Sequence, residues 1–368
     1  MLESHYQGKR VLITGHTGFK GAWLSEWLLM LGAKVRGYAL QPPTDPSLFV
    51  QLDLANRMEH QIADIRDAEE VAKTVRQFRP DYIFHLAAQS LVRMSYERPL
   101  ETYAVNVLGT ANLLDALRTA DWPCSVVVVT SDKCYENKEW VYGYRETDPR
   151  GGHDPYSSSK GAAELVVAGY RNSFFQKHSV KIASARAGNV IGGGDWAPDR
   201  IVPDCIRALG KNQAIPVRNK TATRPWQHVL EPLSGYLWLA ARVFEKGADD
   251  PDLCSAFNFG PDSESNRTVK DLVEELLKYW PGRWDDRSNP NAPHEAHLLH
   301  LATDKARAIL RWAPAWTFAD ALRETAAWYR KADEAGATAQ MQGFTKQQIQ
   351  AYIAAASVSG ISWAAKAQ

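Results

Sequence analysis

Apolar residues between positions 10 and 187 fall into two kinds of pattern, short unbroken runs and stripes at helical spacing. Residues 10–14 (RVLIT) read as a buried strand. Glycines follow, and then Leu24, Trp27, Leu28 and Leu31 recur on one helical face until Gly32 stops the helix. Residues 34–40 (KVRGYAL) predict a second strand, closed by the breaker QPPTDP. Val71, Val75 and Phe78 mark the next helix, 82–86 a strand, 100–120 a long helix, and 126–129 (VVVV) another strand. Asp154 and Pro155 have the order of an N-cap and a first-turn proline, opening a helix to about 177, and 180–186 is again a strand.

Strands and helices in alternation predict an α/β fold, a doubly wound parallel sheet with both faces covered. Ligands then bind where the strand C-termini meet. The ends of RVLIT and of the valine run should therefore border one cleft. That makes the abrupt change from VVVV to Thr130, Ser131, Asp132 and Lys133 notable, since an acid and a base sit side by side at its mouth.

The regularity weakens after Asn189. A glycine cluster (GGGDW), a stretch rich in charge to Pro225 and the loop PGRWDDRSNPNAPHEAH predict a smaller mixed α/β domain. The expected division assigns 1–188 and a returning segment of about 226–260 to the first domain. About 189–225 and 261–340 form the second, and 341–368 is a helix-permissive tail without assigned function.

Composition narrows the chemistry. Of 368 residues, 45% are hydrophobic, enough for a sizeable core, while 43 Lys plus Arg nearly cancel 42 Asp plus Glu. That balance argues against a nucleic-acid or membrane surface as partner. Cys124, Cys134, Cys205 and Cys254 form no C-x-x-C pair, and no run of 18 apolar residues suggests a span. The start, MLESHYQGKR, lacks a signal-peptide pattern, so a cytoplasmic setting is expected.

Gly15, Gly18 and Gly21 form G-x-x-G-x-x-G directly after a strand and at the start of a helix. Glycine permits the tight turn and lets a pyrophosphate approach the backbone, while the helix N-terminus offers N–H groups to it. A carboxylate for the adenosine ribose is expected about 20 residues on. Residues 39 and 40 are Ala and Leu, so the choice between NAD and NADP stays open, and Asp64 is either an adenine contact or a helix cap.

Tyr156 and Lys160 stand four apart and share a helix face. A nearby ammonium and an oxidised nicotinamide both favour the phenolate, which lets a tyrosine act as a base. Ser131, Tyr156 and Lys160 together with TGHTGFKG, HLAAQS, NVLGT and RAGNVIGGGDW resemble the extended branch of the short-chain dehydrogenase/reductase superfamily over almost the whole chain. That resemblance implies a Rossmann-type fold, an NAD cofactor and a homodimer or homotetramer. It also implies cofactor contacts from Gly15, Thr17, Gly18, Phe19, Lys20, Gly21, Asp64, Ile65, Leu86, Ala87, Ala88, Tyr156 and Lys160.

Asp132-Lys133 after the serine resembles the sugar-nucleotide 4,6-dehydratases, and RPWQHVLEPLSGYLWLA and PHEAHLLHLATDKA resemble the enzymes that act on CDP-glucose. The implied reaction oxidises the sugar at C4, eliminates water across C5 and C6, and returns the hydride to C6. The alternative is a 4,6-dehydratase or epimerase acting on another nucleotide sugar. Within the scheme Tyr156 is the base at the 4-hydroxyl and Asp132 the acid at C6. Lys133 is either the C5 base or, if charged, a stabiliser of the enolate. The resemblance implies substrate contacts from Asn189, Arg200 and Arg224, the arginines suiting the diphosphate because a guanidinium binds phosphate oxygens in pairs, and His294 is expected to line the nucleotide pocket. His294, His297 and His300 recur every three residues without H-E-x-x-H or a supporting Cys or Asp cluster, so no metal is expected.

Overall fold

The structure is a computed structural model and describes residues 1–288, 298–334 and 338–365. Its centre is a parallel seven-stranded sheet. The strands are β1 (Arg10–Thr14), β2 (Lys34–Ala39), β3 (Glu59–Ile62), β4 (Tyr82–His85), β5 (Cys124–Val129), β6 (Val180–Ala187) and a seventh, Ala256–Phe259. Their spatial order is β3-β2-β1-β4-β5-β6 and then the seventh strand, the Rossmann order. The order reverses between β1 and β4, so a crevice opens at their C-terminal ends. There Thr14 pairs in register with His85. Thr14 Oγ1 also lies 2.7 Å from His85 Nδ1, and His85 Nε2 lies 3.1 Å from Thr110 Oγ1. Burial holds that imidazole far below its usual range, at about 3, so a neutral ring links the two strand ends.

The valine run shows why β5 lacks period-2 alternation. Every residue of it is buried. Val127 and Val129 enter one hydrophobic core, Val126 and Val128 the other. A strand covered on both faces has no polar side to display.

Helix boundaries depart from the sequence expectation where side chains compete with the helical ladder. The stretch expected as one helix over 100–120 is Pro99–Tyr103, a π-helical turn Ala104–Leu108 and Gly109–Ala116. In the π turn, Asn106 accepts from Gln89 N (2.8 Å), and its amide donates to Gln89 O (3.0 Å) and Ser159 Oγ (2.8 Å). The bulge thus aims a buried amide at both the β4 loop and the helix bearing Tyr156, a common use of π turns. That second helix spans Pro155–Tyr170 and again ends in a π turn, Arg171–Phe175. Asp154 caps it, accepting from Ser157 N at 2.9 Å.

Beyond Ala187 three two-stranded pairs form: Val190–Ile191 with Gln227–His228, Thr223–Pro225 with Asn266–Thr268, and Ile215–Val217 with Trp284–Asp286. Helices Ile201–Leu209 and Val269–Tyr279 accompany them. Helix Leu230–Lys246 returns to cover β5 and β6. The tail is a helix, Thr338–Val358, packed against Phe19–Met30. Trp27, Tyr352 and Trp363 form an aromatic cluster there, with ring centroids 5.7–5.9 Å apart. Among the described residues no helix is long and apolar enough to cross a membrane.

Candidate active site

The glycine loop meets the β4 loop at close range. Gly15 has φ +80°, and a Cβ there would lie 2.7 Å from Ala87 N. A Cβ on Gly21 would collide with the Gly15 carbonyl oxygen. Both positions therefore demand glycine. Gly18 is the N-cap of Phe19–Met30; no side chain caps this helix and no acid lies in its first turn, as suits an anion at its N-terminus. His16 fills the space beside Gly37. These features fit a dinucleotide pyrophosphate.

The other expected cofactor contacts border the same crevice. Leu86, Ala87 and Ala88 are half-buried. Leu86 N donates to Thr14 O (3.0 Å) and Ala87 N to Thr14 Oγ1 (3.2 Å). Thr17 Oγ1 donates to Leu40 O (2.9 Å) at the end of the second strand, where no acid stands. Asp64 follows β3, and its carboxylate is held by Arg66 at 2.5 Å, below its usual titration range. Ile65 is buried beneath Gly109. Phe19 sits against Gly192 on the far wall.

The polar turn after β5 converges with the helix Pro155–Tyr170. Ser131 caps the 3-10 turn Asp132–Cys134. Ser131 Oγ accepts from Lys133 N (3.2 Å) and donates to Asp132 Oδ1 (2.9 Å). The same hydroxyl also acts on the Tyr156 hydroxyl, favouring its ionised form. One serine therefore acts on both the phenol and the carboxyl. Lys133 Nζ lies 3.5 Å from Asp132 Oδ1 and donates to Asn189 Oδ1 at 3.3 Å. Asp132 Oδ2 stands against Gly188, where a Cβ would approach it to 3.0 Å.

Burial pushes the Tyr156 hydroxyl up to about 12; the Ser131 hydroxyl and the Arg200 charge oppose this, and Asp132 and Asp154 reinforce it. Burial also pulls Lys160 down to about 8, against the opposing effects of Cys134 and Glu164. Lys20 falls to about 8 as well, through burial first and then the Arg200, Lys160 and Lys133 charges, with Asp132 opposing. Its ammonium lies 5.9 Å from the centre of the Tyr236 ring. Four cationic side chains thus surround one phenol and one carboxyl, a field suited to developing negative charge.

Arg200 faces this cluster. Its guanidinium donates to Asp195 Oδ2 (2.8 Å) and to Ser90 Oγ (3.5 Å), bridging the β4 loop and the segment after Gly194. Arg224 is buried on the strand Thr223–Pro225 and donates to Thr223 O at 2.7 Å. Its neighbour Pro225 touches the Gly188 position beside Asp132. His294 and His297 lie outside the described residues. Among the described residues no group of His, Cys, Asp and Glu has metal-binding geometry.

Asn106, Glu164, Arg186 and Tyr236 also border this machinery and were not singled out from the sequence. Glu164 carries the clearest signal, lying one helical turn beyond Lys160 on the same face.

The fold and this constellation define a nucleotide-sugar-modifying member of the short-chain dehydrogenase/reductase class. The family model described as GDP-mannose 4,6 dehydratase matches residues 12–325, and the chain belongs to that family. It is 50% identical over 337 residues to the CDP-glucose 4,6-dehydratase of Salmonella typhimurium, covering 89% of this chain and 92% of the relative. It is 27% identical to the dTDP-glucose 4,6-dehydratase of Neisseria gonorrhoeae, over 87% and 95% of the two chains. Among solved structures, the dTDP-glucose 4,6-dehydratase of Streptomyces venezuelae with NAD bound superposes with a TM-score of 0.75 at 25% identity, covering 88% of this chain and 97% of that one. A UDP-glucose 4-epimerase from Thermotoga maritima shares the fold at a TM-score of 0.76 and 21% identity, over 88% and 99%.

Proposed function

We propose that this protein is a hydro-lyase that converts CDP-D-glucose to CDP-4-keto-6-deoxy-D-glucose and water with NAD as a recycled cofactor. The observation that carries this reading is Ser131, whose hydroxyl donates to Asp132 at 2.9 Å and also favours ionisation of Tyr156. A redox base and a dehydration acid then act on one bound sugar. The 50% identity to a CDP-glucose 4,6-dehydratase supports the choice of nucleotide.

NAD would supply the redox chemistry when bound, as acceptor of the C4 hydride and donor of the same hydride to C6, and its oxidised ring would favour the Tyr156 phenolate. Gly15, Thr17, Gly18, Phe19, Lys20, Gly21, Asp64, Ile65, Leu86, Ala87, Ala88, Tyr156 and Lys160 are the residues proposed to hold it. Tyr156 takes the proton from the 4-hydroxyl, with Ser131 sharing that oxygen and the Lys160 ammonium favouring the phenolate. The 4-ketone acidifies C5. Lys133 in its neutral form takes the C5 proton and Asp132 in its protonated form gives one to the departing C6 hydroxyl, so water leaves, and a proton returns to C5 when the hydride reaches C6. Asn189 accepts from Lys133 at 3.3 Å and is proposed also to contact the diphosphate. Arg200 and Arg224, with His294, complete the proposed substrate contacts.

The dinucleotide domain is proposed to comprise 1–188 and about 226–260, and the sugar-nucleotide domain about 189–225 and 261–340. A cytoplasmic setting accords with four unpaired cysteines. The product suits deoxysugar synthesis for surface polysaccharide such as the O-antigen of lipopolysaccharide. Assembly into a homodimer or homotetramer is supported by Leu100, Leu108 and Leu165, which are 84%, 60% and 61% exposed on helices beside the sheet.

The test is a substrate panel. Purified protein with NAD and CDP-, dTDP-, GDP- or UDP-hexose should form the alkali-absorbing 4-keto product from CDP-glucose at least tenfold faster than from the others, a margin of about 1.4 kcal/mol. Turnover confined to another nucleotide, or 4-epimerised hexose as the sole product, refutes the reading.

A further inference from the structure

Behind the two catalytic segments lies a buried polar chain that the reaction scheme does not use. Glu164 stands one turn after Lys160 and is almost fully buried. Thr130 Oγ1 donates to its Oε1 (2.5 Å); Ser184 Oγ (2.9 Å) and the Arg186 guanidinium (2.7 Å) donate to Oε2. Three elements thus meet at one carboxylate: the end of β5, the strand β6 and the helix Pro155–Tyr170.

The chain continues outward. Arg186, wholly buried, donates to the Tyr135 hydroxyl at 2.6 Å and to Glu146 O at 3.1 Å. The Tyr135 hydroxyl donates to Asn258 Oδ1 at 2.7 Å. Asn258 Nδ2 donates in turn to Tyr144 O (2.8 Å) and Ala302 O (3.1 Å). Thr130 and Tyr135 flank Ser131, Asp132 and Lys133 in sequence. The turn is therefore tied down on both sides by side chains of one network.

Burying an acid and an arginine together is costly unless the pair is fully hydrogen-bonded, and the packing gain alone seldom explains it. Here the bonds are placed to fix relative position. We propose that Glu164 is a positioning residue for the reaction: with Arg186 it locks the turn carrying Ser131, Asp132 and Lys133 onto the helix carrying Tyr156 and Lys160, so that oxidation and water loss share one rigid frame. Its charge also acts on Lys160. The charged groups around it are Arg186, Lys160 and Arg171, with the neutral Cys134 thiol nearby. The inference rests on the dehydratase reading above.

The test compares wild type, Glu164→Gln and Thr130→Val on CDP-glucose with saturating NAD. Wild-type turnover alone decides the dehydratase reading, and the variant-to-wild-type ratio decides the inference. A displacement of about 1 Å in a catalytic frame costs up to about a hundredfold in rate. Thr130→Val, which keeps the buried ion pair, should lower kcat about tenfold or more with KM within about twofold and no change in its pH profile. Glu164→Gln should lower kcat likewise and also move the alkaline limb to lower pH, because Lys160 loses a neighbouring negative charge. If Glu164→Gln does not fold, the Thr130→Val result decides alone. Wild-type kcat in Thr130→Val, or a folded Glu164→Gln with wild-type kcat and pH profile, overturns the proposal.

Discussion

The ammonium of Lys133 lies 3.5 Å from the carboxylate of Asp132, at the C-terminal mouth of a strand with no exposed residue. Two adjacent residues with opposite proton affinities face the same cleft as Tyr156. The 3-10 turn makes this possible, because it directs consecutive side chains into the cleft instead of to opposite faces of a strand. Substituting Asp132→Asn or Lys133→Met should therefore reduce dehydration about a hundredfold, the usual scale of a general acid or base. C4 oxidation, followed by the absorbance of reduced nicotinamide, should persist in both variants. Dehydration at the wild-type rate in both would make the pair structural.

Tyr156 needs help to ionise, since burial places its hydroxyl near 12. Tyr156→Phe should lower C4 oxidation by about 10²- to 10⁴-fold. In Lys160→Met the phenolate loses its ammonium, so the rising limb of the pH profile of kcat should move to higher pH. An unmoved limb would show that Lys160 does not set the ionisation of Tyr156.

Much of this was legible in the sequence, for physical reasons that differ by element. The strands declared themselves because burial on both faces leaves unbroken apolar runs, as in 126–129. The glycine loop was legible because Gly15 and Gly21 sit where a Cβ cannot fit. The π turn at Asn106 was not legible, because its partners Gln89 and Ser159 are far away in sequence. The same holds for Glu164, whose three partners come from two other elements. The small strand pairs after Ala187 are two or three residues long, too short for any periodicity to show. The tail was readable as helix-permissive but not as docked, since its aromatic partners Trp27 and Trp316 lie elsewhere in the chain.

That docking has a pH signature. Glu231 is buried and accepts from the Tyr352 hydroxyl (2.6 Å) on the tail helix and from Trp316 N (2.7 Å). Burial outweighs those bonds and raises it from 4.5 to about 7. A carboxyl raised in the folded state binds its proton more tightly than in the unfolded chain. Its contribution is thus fully present below pH 4.5 and is lost as pH rises to about 7. The unfolding free energy of Glu231→Gln should fall less between pH 5 and pH 8 than that of wild type, with a differential on the order of 3 kcal/mol at most. Identical pH slopes would contradict the assignment.

The exposed leucines make a separate prediction about assembly. Leu100→Glu combined with Leu165→Glu should shift the protein to monomer in light scattering, because a charge at an interface core is costly to bury. Retention of the wild-type mass would place the interface elsewhere.

The central claim is that one hydride leaves C4 and returns to C6 of the same sugar while Tyr156, Asp132 and Lys133 handle the protons. Deuterium at C4 of CDP-glucose tests it. After complete turnover in ordinary water, the account predicts the label in the C6 methyl group of the product, as read by NMR and mass spectrometry. Deuterium retained at C4, or washed out to solvent, would contradict it.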